Sequence, residues 1–216
     1  MQNHPTQQSL YSLQRELNSN LARAGRAAAN WLNTAPLYLC TKTTGSGKSD
    51  QLIELSILDS EQRVLFHSQI LPTVAIDAEN RHGINLTGLL QRPKWPALVA
   101  KVMELLKGRK IIIFNALFET RILKQTSIAY GLGIDWVDSL EVNCAMYLAA
   151  NAYGSDNRYG SVSMAYAMKK AKVAGFDSTN GTVADCYALV RLATTIASSR
   201  QVIKQRIAQL SLKIAV

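Results

Sequence analysis

The sequence predicts an α/β fold, a mixed sheet that opens with an antiparallel meander and is covered by helices, and three observations predict it. Three strand-like runs follow one another between Leu37 and Ile70, joined by turns too short for crossover helices. From Pro96 onward helical and strand patterns alternate, with Lys110 to Asn115, KIIIFN, as a short continuous apolar run typical of a buried strand. From Val162 to the end the pattern is helical only, which supplies the covering layer.

The elements are expected in this order. Residues 1–7, His4 among them, read as a polar, frayed tail. Between Gln8 and Asn33, Leu10, Leu13, Leu17, Leu21, Ala24, Ala28, Trp31 and Leu32 recur at steps of three and four, which predicts one amphipathic helix packed on the domain or serving as a partner-binding arm. Leu37 to Cys40 and Leu52 to Leu58 read as strands, and a tight turn at Ser60-Glu61-Gln62 leads into a third, Arg63 to Ile70. Leu71 to Leu90 reads as irregular chain. Pro96 suits the first turn of a helix that ends near Leu106 before Gly108. After the KIIIFN strand come a helix over Leu117 to Tyr130, a short strand over Gly133 to Val137 and a helix through Ala150. Asn151 to Ser161 is loop-like, and Val162 to Ala174 and Val183 to Ala197 are helical, the last running on toward the end. The expected organisation is an N-terminal helical extension (1–34), a central domain (35–199) and a C-terminal helical extension (200–216).

Composition narrows the function classes. With 216 residues the chain can bury a core without disulfides or structural metal. Cys40, Cys144 and Cys186 form no CxxC pair, so reduced thiols are expected rather than a zinc site. No run of 18 apolar residues and no basic-then-apolar leader is present, so a cytoplasmic location and no membrane partner are expected. The formal net charge of +9 favours a polyanionic partner through phosphate contacts and counterion release, a basic surface for solubility or for an acidic protein being the alternative.

Leu37 to Asp59 admits two readings. Thr43-Thr44-Gly45-Ser46-Gly47-Lys48-Ser49 follows an apolar run, as a phosphate-binding loop would, and Gly47-Lys48-Ser49 matches the end of GxxxxGK[ST]. The first glycine of that pattern is replaced by Lys42, and the alternating Leu52 to Leu58 suits a hairpin better than the helix such a loop opens into. The second reading is a meander turn beside positions that once held metal-binding carboxylates.

On the second reading the chain resembles the DEDDh 3′-to-5′ exonucleases, the family of ribonuclease T and of polymerase proofreading subunits. Cys40-Thr41-Lys42-Thr43-Thr44-Gly45 stands where that family has Asp-Thr-Glu-Thr-Thr-Gly. Pro72 and His82-Gly83-Ile84 are similar to its linker and His-Gly-Ile element, Asn115-Ala116-Leu117-Phe118-Glu119 to Asn-Ala-x-Phe-Asp, Val137-Asp138-Ser139-Leu140 to Val-Asp-Thr-Leu, and Asn180 to Cys186 to the segment in which histidine precedes aspartate by five. The resemblance spans roughly Pro36 to Ala197 and implies a ribonuclease-H-like sheet.

It also implies a chemistry that this sequence has altered. The family's two divalent metals need several carboxylate oxygens, and its histidine serves as general base. Residue by residue, the first aspartate falls on Cys40, the glutamate on Lys42, the second aspartate on Glu119, the histidine on Asn180 and the last aspartate on Asp185. Cys40 offers a soft ligand poorly suited to magnesium, and Asn180 cannot accept a proton at neutral pH. A Lys42 ammonium facing a dication at ~4 Å and an effective dielectric of ~20 is opposed by roughly 8 kcal/mol before relaxation. The expectation is a nucleic-acid-binding protein whose catalytic constellation is lost, with Lys42 pairing Asp185 and Glu119, or else turned outward to solvent. No cofactor is then expected. The alternative is a metal-dependent exonuclease using Mg2+ or Mn2+ on Glu119 and Asp185 with a recruited Asp50 or Glu54, and a second alternative is a protein-interaction module built on the N-terminal helix. Thr43, Thr44, His82, Asn115, Phe118, Arg158, Lys169 and Lys170 are the candidate contacts to a single strand or 3′ end, the last three because aromatics and bases interleave around the glycine-rich loop. His67 is expected to be structural or solvent-facing. Arg200, Lys204, Arg206 and Lys213 form either a solvated helical face or a phosphate track.

Overall fold

The computed structural model describes residues 5–77, 82–155, 157–177 and 179–214. Its centre is a five-stranded sheet of order β3-β2-β1-β4-β5, formed by β1 (Leu37–Thr43), β2 (Leu52–Leu58), β3 (Val64–Gln69), β4 (Lys110–Ile113) and β5 (Glu141–Cys144). β1, β2 and β3 pair antiparallel, while β4 joins β1 and β5 joins β4 in parallel, so the sheet is mixed as expected. Every residue of β2 is buried, so Glu54 and Ser56, which give the strand its alternation, are enclosed on one face and do not mark a solvent side.

The helices are α1 (Pro5–Glu16), α2 (Asn20–Leu32), α3 (Leu86–Leu89), α4 (Val99–Leu106), α5 (Ala116–Ala129), α6 (Asp135–Asp138), α7 (Ala145–Tyr153), α8 (Met164–Lys170) and α9 (Gly181–Ile214). One sheet face packs Leu37, Leu39, Leu55 and Ile57 against α4, α5 and Trp95, whose indole donates to the Ser127 hydroxyl at 3.0 Å. On the other face Tyr38, Cys40, Leu58 and Ile112 meet Cys186, Leu189, Val190 and Ala193 of α9. A third apolar cluster joins α2, α7, α8 and α9.

Four expectations are corrected. The single N-terminal helix is two, because Asn18, Ser19 and Asn20 form helices poorly and the Ser19 side chain instead accepts from the Ala22 amide as the N-cap of α2. Steps of three and four cross such a break unnoticed. The polar tail is helical from Pro5, and His4 lies outside the described residues. The strand expected over Gly133 to Val137 is instead the start of α6, with β5 displaced to Glu141–Cys144, where Val142 pairs with Ile111. The helix expected over Val162 to Ala174 is trimmed to α8: Ser163 caps it, and Lys172 at φ 56 ends the last turn. The remaining helix, α9, runs unbroken for 34 residues.

α2 lies on α9 through small residues. Ala22 and Ala28 are fully buried, and a Cβ on Gly25 would come within 2.4 Å of Ser199 Oγ and 2.8 Å of the Ile196 carbonyl oxygen. The apolar stripe of the N-terminal region is therefore spent inside the molecule, as the packed-helix expectation has it. Among the described residues no helix is long and apolar enough to cross a membrane.

Candidate functional site

β1 alternates its side chains, so Tyr38, Cys40 and Lys42 face α9 while Leu39 faces the opposite core. A register shift between Lys42 and Thr43 twists the strand at the point where it delivers Lys42. The Lys42 ammonium donates to Asp185 Oδ2 at 2.5 Å, with both side chains about nine-tenths buried (10% and 12% exposed). Burial pushes the Asp185 carboxyl above its ordinary range, and Lys42 opposes that rise. Its other oxygen, Oδ1, is buried without a hydrogen-bond partner among the described residues.

Glu119 enters from the first turn of α5. The residue keeps some exposure, but its carboxyl end is enclosed, and burial pushes it up to about 8 even though the Thr41 hydroxyl donates to Oε2. At neutral pH Glu119 is therefore largely protonated. Cys40 lies beside Cys186, and burial raises its thiol well above the usual range. Cys40, Thr41, Glu119 and Asp185 share a cavity of about 140 Å³ whose apolar wall is Leu39, Phe114, Met164 and Phe176.

Behind this cavity lies a polar row that the sequence did not reveal. Lys42 stands opposite Glu54 in the β1–β2 register, and Glu54 Oε2 accepts from the Thr182 amide at 3.0 Å, tying the start of α9 to the sheet. Its other oxygen is 3.9 Å from His67 Nε2. The Ser56 hydroxyl lies 2.9 Å from His67 Nδ1 and 2.6 Å from the Thr182 hydroxyl. The available signal was Glu54 and Ser56 at alternate positions of an otherwise apolar strand: polar side chains on one face of a buried strand require partners there.

The structure brings Cys40, Lys42, Glu119 and Asp185 together and leaves Asn180 exposed just ahead of α9. The other candidate contacts are dispersed. Thr43 donates to the Gly45 carbonyl, and the fully buried Thr44 hydroxyl donates to Asp50 and accepts from the Gln51 amide. His82 is buried with Nε2 3.2 Å from the Thr43 carbonyl oxygen, while its Nδ1 accepts from the Ile84 amide. Asn115 takes the left-handed conformation at φ 61 before α5, and Phe118 packs on the core beneath the Arg121 guanidinium. Arg158 stacks on Tyr159, Lys170 on Tyr166, and Lys169 is exposed.

The phosphate-loop reading does not survive. Asp50 fills the concave side of the Gly45–Ser49 loop, accepting from the Gly47 amide at 2.5 Å, and a Cβ on Gly45 would meet its carboxylate at 2.7 Å. Arg121 and Gln125 clamp the same loop through the Ser46 and Gly47 carbonyls, and the chain then enters a strand.

The donors in the cavity do not suit a pair of hard divalent ions. An ammonium occupies one oxygen of Asp185, and beside it the cavity offers the single carboxyl of Glu119 and the soft sulfur of Cys40. Among the described residues no group of three or more His, Cys, Asp or Glu side chains is placed to hold a metal ion.

In fold, the mixed five-stranded sheet and its flanking helices are similar to those of ribonuclease-H-like exonucleases. No family model matches the sequence. The chain is 29% identical over 143 residues to an uncharacterized exonuclease, CP81, of Escherichia phage 186, a match covering 64% of this chain and 74% of that protein. Among solved structures it is similar to a 3′-exonuclease described in 3′-end-specific recognition of the histone mRNA stem-loop (TM-score 0.61, 12% identity), covering 77% of this chain and 64% of that one. The nuclease domain of 3'hExo, a DEDDh family member bound to rAMP (TM-score 0.58, 12% identity), covers 78% and 92%. Exonuclease X in complex with 5′-overhanging duplex DNA (TM-score 0.54, 17% identity) covers 76% and 92%. The chain thus spans just under two thirds of the stem-loop exonuclease.

Proposed function

We propose that this protein binds nucleic acid, a single strand or 3′ end, at the cleft around Cys40, Lys42, Glu119 and Asp185 without cleaving it. The observation that carries the reading is the 2.5 Å ion pair between Lys42 and Asp185, because it sets a protein cation where the resemblance implies a metal. The pair neutralises the one acid retained from the family pattern without an added ion, and the neutral form of Glu119 removes the second reason to recruit one. Phe114, Met164 and Phe176 supply an apolar wall against which a base can pack.

The test is incubation of end-labelled single-stranded DNA and RNA with protein and Mg2+ or Mn2+, read both by product length and by gel shift. A shift with no shortening is the expected result. Chelator-sensitive shortening from the 3′ end overturns it in favour of a metal-dependent 3′-to-5′ exonuclease. That second reading is favoured by the convergence of Glu119 and Asp185 on one cavity.

A further inference from the structure

The charge that points to a polyanion is not spread evenly over the molecule. Residues 8–33 and 198–213 carry seven bases and one acid, Glu16, and so hold +6 of the chain's formal +9. These are most of α1, all of α2 and the second half of α9, a helical layer whose bases are largely exposed. An open groove of about 460 Å³ runs between α1 and α9. Arg206, Gln209 and Lys213 line it from α9, and Ser9, Ser12 and Glu16 line it from α1.

We propose that this groove is a second nucleic-acid contact, separate from the cleft, that holds the phosphate backbone of a duplex. Charge complementarity selects the partner: two cations on the α9 side match a row of phosphate oxygens, with the surrounding layer adding long-range attraction. Among the described residues no aromatic side chain lines the groove, so these offer a single strand nothing to stack upon. An anionic membrane is the poorer match, because the apolar faces of α2 and of the first half of α9 pack on each other and on α7 and α8, and the second half of α9 exposes only the separated Val202 and Leu212 as large apolar side chains among the described residues. Arg200 to Lys213 spans about 20 Å of helix, which suits a duplex whose turn is about 34 Å long.

The inference rests on the nucleic-acid reading only in its choice of polyanion. A covalently closed DNA duplex with no 3′ end tests it separately, since the cleft as proposed has nothing to hold on such a probe. Binding is measured by fluorescence anisotropy across a salt series, with circular dichroism confirming helix content. The unaltered protein is expected to bind with a steep salt dependence, and R206Q/K213Q to lower the slope of log K against log salt by about 2, at roughly 0.9 for each phosphate no longer neutralised. E16Q, which removes the acid from the groove, is expected to tighten binding severalfold. Failure of the unaltered protein to bind the closed duplex overturns the inference, as does an unchanged slope in R206Q/K213Q or an unchanged affinity in E16Q. Binding to phosphatidylserine vesicles in place of the duplex overturns it too. None of these results bears on the single-strand test of the cleft.

Discussion

Lys42 is nearly buried, and its partner Asp185 has one oxygen already lacking a hydrogen bond among the described residues. Deleting one member of a buried pair strands the other charge, so Lys42→Ala is expected to destabilise the protein by about 3–5 kcal/mol in urea melts at pH 7. Adding Asp185→Asn to a Lys42→Met variant is expected to recover most of that loss. Glu119 behaves differently, because its carboxyl titrates at about 8 when folded and near 4.5 when free. Between those values the folded state holds a proton that the unfolded state has released, so stability falls as pH rises through this window. Urea melts at pH 5, 6.5 and 8 are expected to show Glu119→Gln losing less stability across the window than the unaltered protein. Lys42 and Glu119 were legible in the sequence through the Thr-Thr-Gly and Asn-Ala-x-Phe landmarks beside them, and Asp185 through the Asn180 to Cys186 segment. The Thr41–Glu119 and Glu54–Thr182 contacts were not, since both depend on strand register and on where the first turns of α5 and α9 land over the sheet.

At the scale of elements, the meander, the KIIIFN strand and most helices could be read because each buries one face or both, and burial leaves a period in the chain. β5 could not: only Val142 among its four residues is a strongly apolar strand former, and it is held by pairing with β4 rather than by its own pattern. The break between α1 and α2 escaped because the apolar stripe continues through it. Gly25 is legible only in the folded molecule. On helix propensity alone Gly25→Ala should stabilise α2, yet the new methyl group would meet the Ile196 carbonyl, which cannot turn aside as a side chain can. The expected outcome is a net loss of about 1–3 kcal/mol in thermal or denaturant melts, only partly relieved by Ser199→Ala.

For the molecule as a whole, the terminal helices are not separate from the sheet. α9 contributes Cys186, Leu189 and Ala193 to the core against the sheet, Leu192 and Ile196 to the cluster with α2, and Ile203 to the buried set beyond. Near-ultraviolet and far-ultraviolet circular dichroism are therefore expected to report one coincident unfolding transition; two separated transitions would show the helical layer melting on its own. The total charge was visible in the composition, but its concentration on one layer followed only from knowing that α1, α2 and the end of α9 lie together. The same long helix has a geometric consequence. Asp185 and Lys213 stand 14 residues to either side of Ser199, so one continuous helix sets the cleft end and the groove end about 42 Å apart along its axis.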